Sequence, residues 1–494
     1  MSSRAQISKP SLNCEVNSAS GNESEGMIIR RLLIGTMLLL LVVGAFSYGL
    51  LAGRFQLPPY RWLKSMADSR IGRQVVVYIS NRSLSSRSEE KGPLGRWVAA
   101  PGQPDSAVSE DLMAQLDALG YVSGVQEAPA FVGVTRYDPD QAQGDLNLYN
   151  SGHDQVAYLI DMEGNVVHTW SFDIAGYLDS ALVEERDGTL ARLEDKSWRR
   201  VHLLDDGQLL VIFDGLGLAK LDKDSDPIWV SDLPVHHDLA VDESSGRIYA
   251  LTRERKIVPR FSSVKSVIND RIVELDGDGK VLRDVSLLEA LENSIYARGL
   301  LSQPYTEDIL HTNGIQLLSG MESELPAFKR GNVLISIRHL DMLAVVDLDR
   351  EAVVWALSGL WRHQHNPKVL DTGNLLVFDN FAGDDTSRVV EVDPMTQEVI
   401  WAYEGTDETP FFSHTCGVAQ RLGNGNTLIT ETDAGRAIEV TPDKDIVWEF
   451  YNPARAGENG QLIAALFEME RLPAGYDGSW LEPEGDEVSV AASQ

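Results

Sequence analysis

The sequence predicts an all-β fold: a six-bladed β-propeller preceded by a single N-terminal transmembrane helix and a stalk. Three observations predict it. First, a phrase in which an apolar residue and an acidic or polar turn lead into β-branched residues and Trp recurs along the chain. Its six copies are "LIDMEGNVVHTW" (159–170), "KLDKDSDPIWV" (220–230), "ELDGDGKVLRDV" (274–285), "VDLDREAVVWAL" (346–357), "EVDPMTQEVIWAY" (391–403) and "EVTPDKDIVWEF" (439–450), though the third lacks the Trp. Second, a histidine followed by a Gly-containing turn and an apolar run stands between them: His202 with "DDGQLLVIF", His237 with "SSGRIYAL", His311 with "RGNVLISI", His365 with "DTGNLLVF" and His414 with "NGNTLIT". Third, "LLIGTMLLLLVVGAFSYGLLA" (32–52) carries no charge over a length that can cross a hydrocarbon core.

Each phrase reads as two short strands joined by an Asp, Asn or Gly turn. A pair of phrases is therefore a unit of four antiparallel strands in roughly fifty residues, the size of a propeller blade. Six copies of one phrase and five of the other leave one blade to be completed by distant parts of the chain. The segment "LIAALFEMERL" (462–472) is expected beside 156–170, which removes the edges an open arc would expose. A helical solenoid does not fit units so short and so rich in β-branched residues.

The remaining segments follow in order. Residues 1–31 are polar and read as a disordered tail. The transmembrane anchor spans 32–52, behind Arg30 and Arg31. A stalk, 53–130, contains one short helix in "SEDLMAQLDALGYV", capped by Ser109. The propeller occupies 131–475, and 476–494 is a disordered acidic tail. Arg54, Arg61, Lys64 and Arg70 beyond the anchor favour a cytoplasmic C-terminal part by the positive-inside rule, but long domains cross membranes largely regardless of such charges. The formal charge of -31 excludes a nucleic-acid partner, because phosphate binding needs basic surface. Cys14 and Cys416 fall on opposite sides of the anchor, so neither a disulfide nor a four-cysteine zinc site is available.

The innermost strand of each propeller blade lines a central channel. Histidines at matching positions of those strands, His202, His237, His311, His365 and His414, would surround one mouth. Five of ten histidines so placed point to an axial polar pocket rather than to local turn caps. Other polar groups accompany them. His311 and Asn313 share a strand face, Arg338 and His339 end the partner strand, and His236 and Asp238 flank His237. Gln364 and Asn366 flank His365. The fork of donors on Arg338 suits a tetrahedral oxyanion. A neutral imidazole is a competent nucleophile when a neighbour holds its other nitrogen. Phosphoryl or sulfuryl transfer fits this set, and three or more histidines could equally bind zinc or copper.

The order of "HHD" (236–238), "HTN" (311–313) with "SIRH" (336–339), "QHN" (364–366) and "SHTCGVAQRLGNGNTLI" (413–429) resembles the arylsulfotransferase family. These bacterial enzymes work without 3′-phosphoadenylyl sulfate and are built on a six-bladed propeller. The opening segment "GVTRYDPDQAQGDLNLYNSGHDQVAYLIDMEGNVVHTW" (133–170) is similar to that of a shorter, membrane-anchored branch. The resemblance covers 131–475 and implies ping-pong transfer of a sulfuryl group from an aryl sulfate ester to a phenolic acceptor. It makes His365 the nucleophile that becomes sulfohistidine, with His311, Asn313 and Arg338 on the sulfuryl oxygens. His237 becomes a further polar contact or proton carrier, and His236 and His414 contact substrate. It implies no metal, nucleotide or other cofactor. Its partners would be the donor, the acceptor and the inner membrane, with the propeller facing the periplasm. The β-sandwich and disulfide of larger members have no counterpart here. A non-catalytic ligand-binding or scaffolding propeller, and a metal-dependent hydrolase using the histidine ring, are the alternative functions.

Overall fold

The repeated phrases fold as antiparallel ribbons for reasons visible in their side chains. The Asp of the first phrase closes its turn by accepting backbone N–H groups. Asp161 Oδ1 takes those of Glu163 and Asn165 at 3.0 and 2.8 Å, and Asp222 and Asp276 do the same for the residues two and four positions on. The Trp has a different task. Trp170 Nε1 donates to the Gly207 carbonyl, Trp229 to that of Gly277, Trp401 to that of Pro442 and Trp448 to that of Met162. Each acceptor lies in a turn of the next blade, so the recurring Trp staples neighbouring blades together. Gly279 has φ +81°, and a Cβ there would stand 3.0 Å from the Trp229 ring, so this turn needs glycine.

This computed structural model describes residues 97–99, 131–179, 197–301, 306–320, 325–383, 385–406, 408–456, 460 and 462–481. Six blades are present. From the axis outward, blade I is Leu466–Arg471, Asn147–Ser151, Val156–Ile160 and Val166–Ser171. The inner strands of blades II to VI are Arg200–Leu203, Val235–Asp242, Thr312–Leu317, His365–Val369 and Val418–Arg421. Each is followed outward by three strands in sequence order, and blade VI gains a fifth, Gly133–Tyr137. The core lies between blades. Leu210 and Ile212 of blade II, for example, pack with Val235 and Ala250 of blade III.

"LIAALFEMERL" supplies the innermost strand of blade I, with Met469 opposite Tyr149 and Arg471 opposite Asn147. Arg471 is 0% exposed. Its guanidinium reaches Glu439 Oε2 at 2.9 Å, Asn147 Oδ1 at 2.6 Å and the Gln143 carbonyl, so one side chain fastens the closing strand to blades I and VI.

Several expectations are corrected. Among the described residues no helix is long and apolar enough to cross a membrane, and 32–52 lie outside them. The transmembrane helix, the membrane as partner and the inner-membrane, periplasm-facing placement therefore do not stand. The stalk helix and the 1–31 tail also lie outside the described residues. Within 53–130 the strand Trp97–Ala99 is described, paired with Leu462–Ala464. Residues 482–494 of the acidic tail are outside as well, whereas Trp480, just before them, packs 5.6 Å from the Trp170 ring.

Candidate active site

The inner strands of blades III, IV and V begin irregularly. Their registers shift between Val235 and Leu239, Thr312 and Gly314, and His365 and Lys368. The backbone is left-handed at His237 (φ 56°), His311 (50°), His363 (52°) and Asn366 (45°). Side chains with a Cβ resist this conformation by roughly 1–2 kcal/mol per residue, so neighbouring contacts must hold it. Its effect is local re-aiming of side chains, as bulges do beside active sites.

The result is an arc of rings spanning blades III to VI. Centroids are 5.0 Å apart for His236–His237, 4.9 Å for His237–His311, 4.7 Å for His311–His339 and 6.4 Å for His339–His363. Phe381 continues it, 5.2 Å from both His363 and His414. Arg338 opens the short turn Arg338–Leu340, its N–H 3.3 Å from the His311 carbonyl.

His365 is 4% exposed. Its Nδ1 stands 2.7 Å from Asn380 Oδ1, and the Asn380 amide nitrogen donates to the carbonyls of Ser413 and Cys416 at 2.8 and 2.7 Å. The Asn380 oxygen is therefore the acceptor. His365 carries hydrogen on Nδ1 and leaves the lone pair on Nε2. Burial pushes its pKa well below the ordinary value, and the Arg338 charge pushes it further, so the ring is neutral.

Four neighbouring histidines are also kept from protonation. Burial lowers His237 well below the usual range, helped by Arg199, His311, His236 and Arg253. Burial and then Arg253 bring His236 down to about 3. Burial and Arg338 bring His363 to about 4, and burial and His311 lower His339. His236 Nδ1 is 2.8 Å from His237 Nδ1, and its Nε2 is 3.7 Å from Asp270 Oδ1. At 1% exposure His236 stands behind His237 and not beside it in the mouth. Burial and the Asp308 charge raise Asp270 to about 6.

Of the expected residues, His237, His311, Arg338 and His365 converge, and His414 lies at the end of the arc. Asn313 is buried and donates to the Gln364 carbonyl at 2.9 Å, which supports the segment carrying His365. His202 does not join them. It is the third residue of its strand, pairs across to Leu210, and points its Nε2 at Glu243 Oε1, 3.2 Å away. Arg199, just before that strand, acts with its charge on His365 and His237. His202 instead lines a cavity of about 840 Å³ with Arg200, Lys368, Gln420 and Glu468. That cavity follows the later parts of the inner strands, and none of the arc histidines lines it.

Asp308, Asn380, His363 and Arg199 were not singled out from the sequence. His363 had a signal, its place two residues before His365 in "HQH". Asp308, His311 and His339 offer ligand atoms within 4.8 Å of one another, a spacing that could hold a metal ion. The close approaches are those of hydrogen bonds, however: Asp308 Oδ2 is 2.5 Å from His311 Nδ1, and the Asp308 carbonyl is 2.9 Å from His339 Nδ1.

A family model described as Arylsulfotransferase (ASST) matches residues 200–453, which include every residue of the arc. No curated protein matches the chain. A Bacteroides caccae protein of unknown function shares 11% identity over 66% of this chain and 98% of its own, with a TM-score of 0.41. The WD40 propeller domain of Doa1 shares 13% over 69% and 96%, with a TM-score of 0.36. Virginiamycin B lyase from Staphylococcus aureus, in a catalytically inactive form with quinupristin, shares 11% over 68% and 98%, with a TM-score of 0.37. Likeness of that degree says nothing about ligand or activity. The family match does not extend to a membrane-anchored branch, and with no membrane-crossing helix among the described residues that narrower placement is corrected. The chain belongs to the arylsulfotransferase family.

Proposed function

We propose that the protein transfers a sulfuryl group from an aryl sulfate ester to a phenol through a sulfohistidine at His365. The observation that carries this is the fixed, neutral His365 ring, with its Nε2 lone pair free and the Arg338 charge acting on it. Nε2 attacks sulfur, the S–O bond to the aryl group breaks, and the phenolic oxygen takes up a proton. A second phenol then loses a proton, its oxygen bonds to sulfur, and the N–S bond breaks to regenerate His365. Arg338 and His414 line the same mouth and serve the sulfuryl oxygens and the aryl ring respectively. Asn313 acts by supporting the nucleophile's segment, with its second amide hydrogen left for an oxygen. His311 handles the phenolic proton, and the His237 ring beside it is a further polar contact. Sulfuryl transfer resembles loose phosphoryl transfer, so positioning and charge stabilisation do most of the catalysis.

His365→Ala is expected to abolish turnover of a chromogenic aryl sulfate with a phenol acceptor while the fold persists. The unmodified protein is expected to take up label from radiolabelled aryl sulfate in an acid-labile, alkali-stable bond. A ligand-binding or scaffolding propeller forms no such adduct, and its absence would overturn the proposal.

A further inference from the structure

Asp308 has no part in the transfer as described, yet it is the residue most closely engaged with the mouth's imidazoles. It lies three positions before His311 in the segment that enters blade IV. Its Oδ1 accepts the backbone N–H of His311 at 3.1 Å, and its Oδ2 stands 2.5 Å from His311 Nδ1. Its carbonyl lies 2.9 Å from His339 Nδ1 and can only accept, so His339 donates. One residue thus holds the left-handed backbone of His311, fixes that ring with hydrogen on Nδ1, and orients the neighbouring His339.

We infer that Asp308 is a positioning residue that makes His311 the proton donor to the phenolic oxygen. The assignment rests on the sulfuryl-transfer reading. Two things single out His311. Its own ring is hydrogen-bonded to a carboxylate. The rings of His237 and His365 face cations instead: Arg199 and Arg253 act on His237, and Arg338 acts on His365. The groups around His311 are the rings of His237 and His339, the carboxyls of Asp308 and Asp270, and, through Asp308, Arg253. Burial pushes the Asp308 carboxyl up, but the hydrogen bond and charge of His311 outweigh it and leave Asp308 well below the usual range, hence anionic.

In the first half-reaction His365 Nε2 bonds to sulfur, and the S–O electron pair passes to the phenolic oxygen. That oxygen takes the proton from His311 Nε2, leaving a neutral ring that still donates from Nδ1 to Asp308. In the second half-reaction the acceptor phenol returns a proton to Nε2 as its oxygen bonds to sulfur. No further reactant is needed.

The test is Asp308→Asn in the full chain, which keeps an acceptor for the His311 N–H and removes the charge. Rates are compared over aryl sulfates whose phenols range from nitrophenol to unsubstituted phenol. General acid catalysis contributes about 10²–10⁴-fold, so the loss is expected near about 10²-fold for phenyl sulfate. For the nitrophenyl ester, whose leaving oxygen needs no proton, the loss is expected to be small. The far-downfield Nδ1 proton resonance of His311 should vanish while the rest of the spectrum persists. His311→Gln is the second variant and should give the same dependence on leaving group if Asp308→Asn does not fold. Equal losses across the esters, or none, overturn the assignment while His365 labelling stands. Failure of the unmodified protein to take label overturns both readings.

Discussion

The neutrality of the buried histidines has a thermodynamic consequence that can be measured at His236. Burial, followed by the Arg253 charge, holds its pKa at about 3 against an ordinary 6.5. As pH falls through 6.5 the unfolded chain takes up a proton that the folded chain refuses. The contribution of His236 to stability is thus intact above about pH 6.5 and is lost progressively as pH falls toward the folded value. Integrated from pH 7.5 to pH 5, that loss is about 2 kcal/mol for this one ring. Glutamine at the same position has no proton to gain in either state. The experiment is urea unfolding of the parent and His236→Gln at pH 7.5 and pH 5.0, read by the fluorescence of the buried Trp170, Trp198 and Trp448. The gap between parent and variant should move by about 2 kcal/mol in the variant's favour at the lower pH. A gap that stays constant with pH would mean that His236 titrates normally in the folded protein, and the account of a cation-lined, desolvated mouth would fail with it.

Two other substitutions probe the scaffold. Asn380→Leu removes three buried hydrogen bonds, so urea unfolding should show a cost of about 3 kcal/mol. The folded fraction should transfer sulfuryl groups about 10²-fold more slowly, because nothing then fixes the His365 tautomer and orientation. Arg471→Ala leaves Glu439 buried without its cation and unfastens the closing strand, and the same measurement should show a loss of about 3 kcal/mol or more.

The blades were legible in the sequence because most carry two local signals with a physical cause. These are an Asp that closes a turn and a Trp that, in four of the six blades, bonds to the next blade. The histidine phrase was less dependable, since a phrase marks a strand but not the position along it. His202 sits two residues deeper than His365 does in its own strand, which is enough to carry it away from the mouth. Asn380 and Asp308 were invisible for another reason. Asn380 meets His365 across a hairpin whose register is interrupted, and Asp308 acts from an irregular segment before its strand. Neither position follows from strand alternation. The anchor was read from hydropathy alone, a signal that no tertiary contact in the described residues supports.

Closure of the first blade by the strand Leu466–Arg471 also constrains when the protein becomes competent. During translation the outer strands of that blade leave the ribosome about three hundred residues before their innermost partner. Until it arrives the circle of blades cannot shut, and Arg471 cannot clasp Glu439 on the far side of the gap. A nascent chain lacking this strand should be silent even though every arc histidine has already been made. The clasp would then act as a completion check, coupling chemical competence to the finished chain.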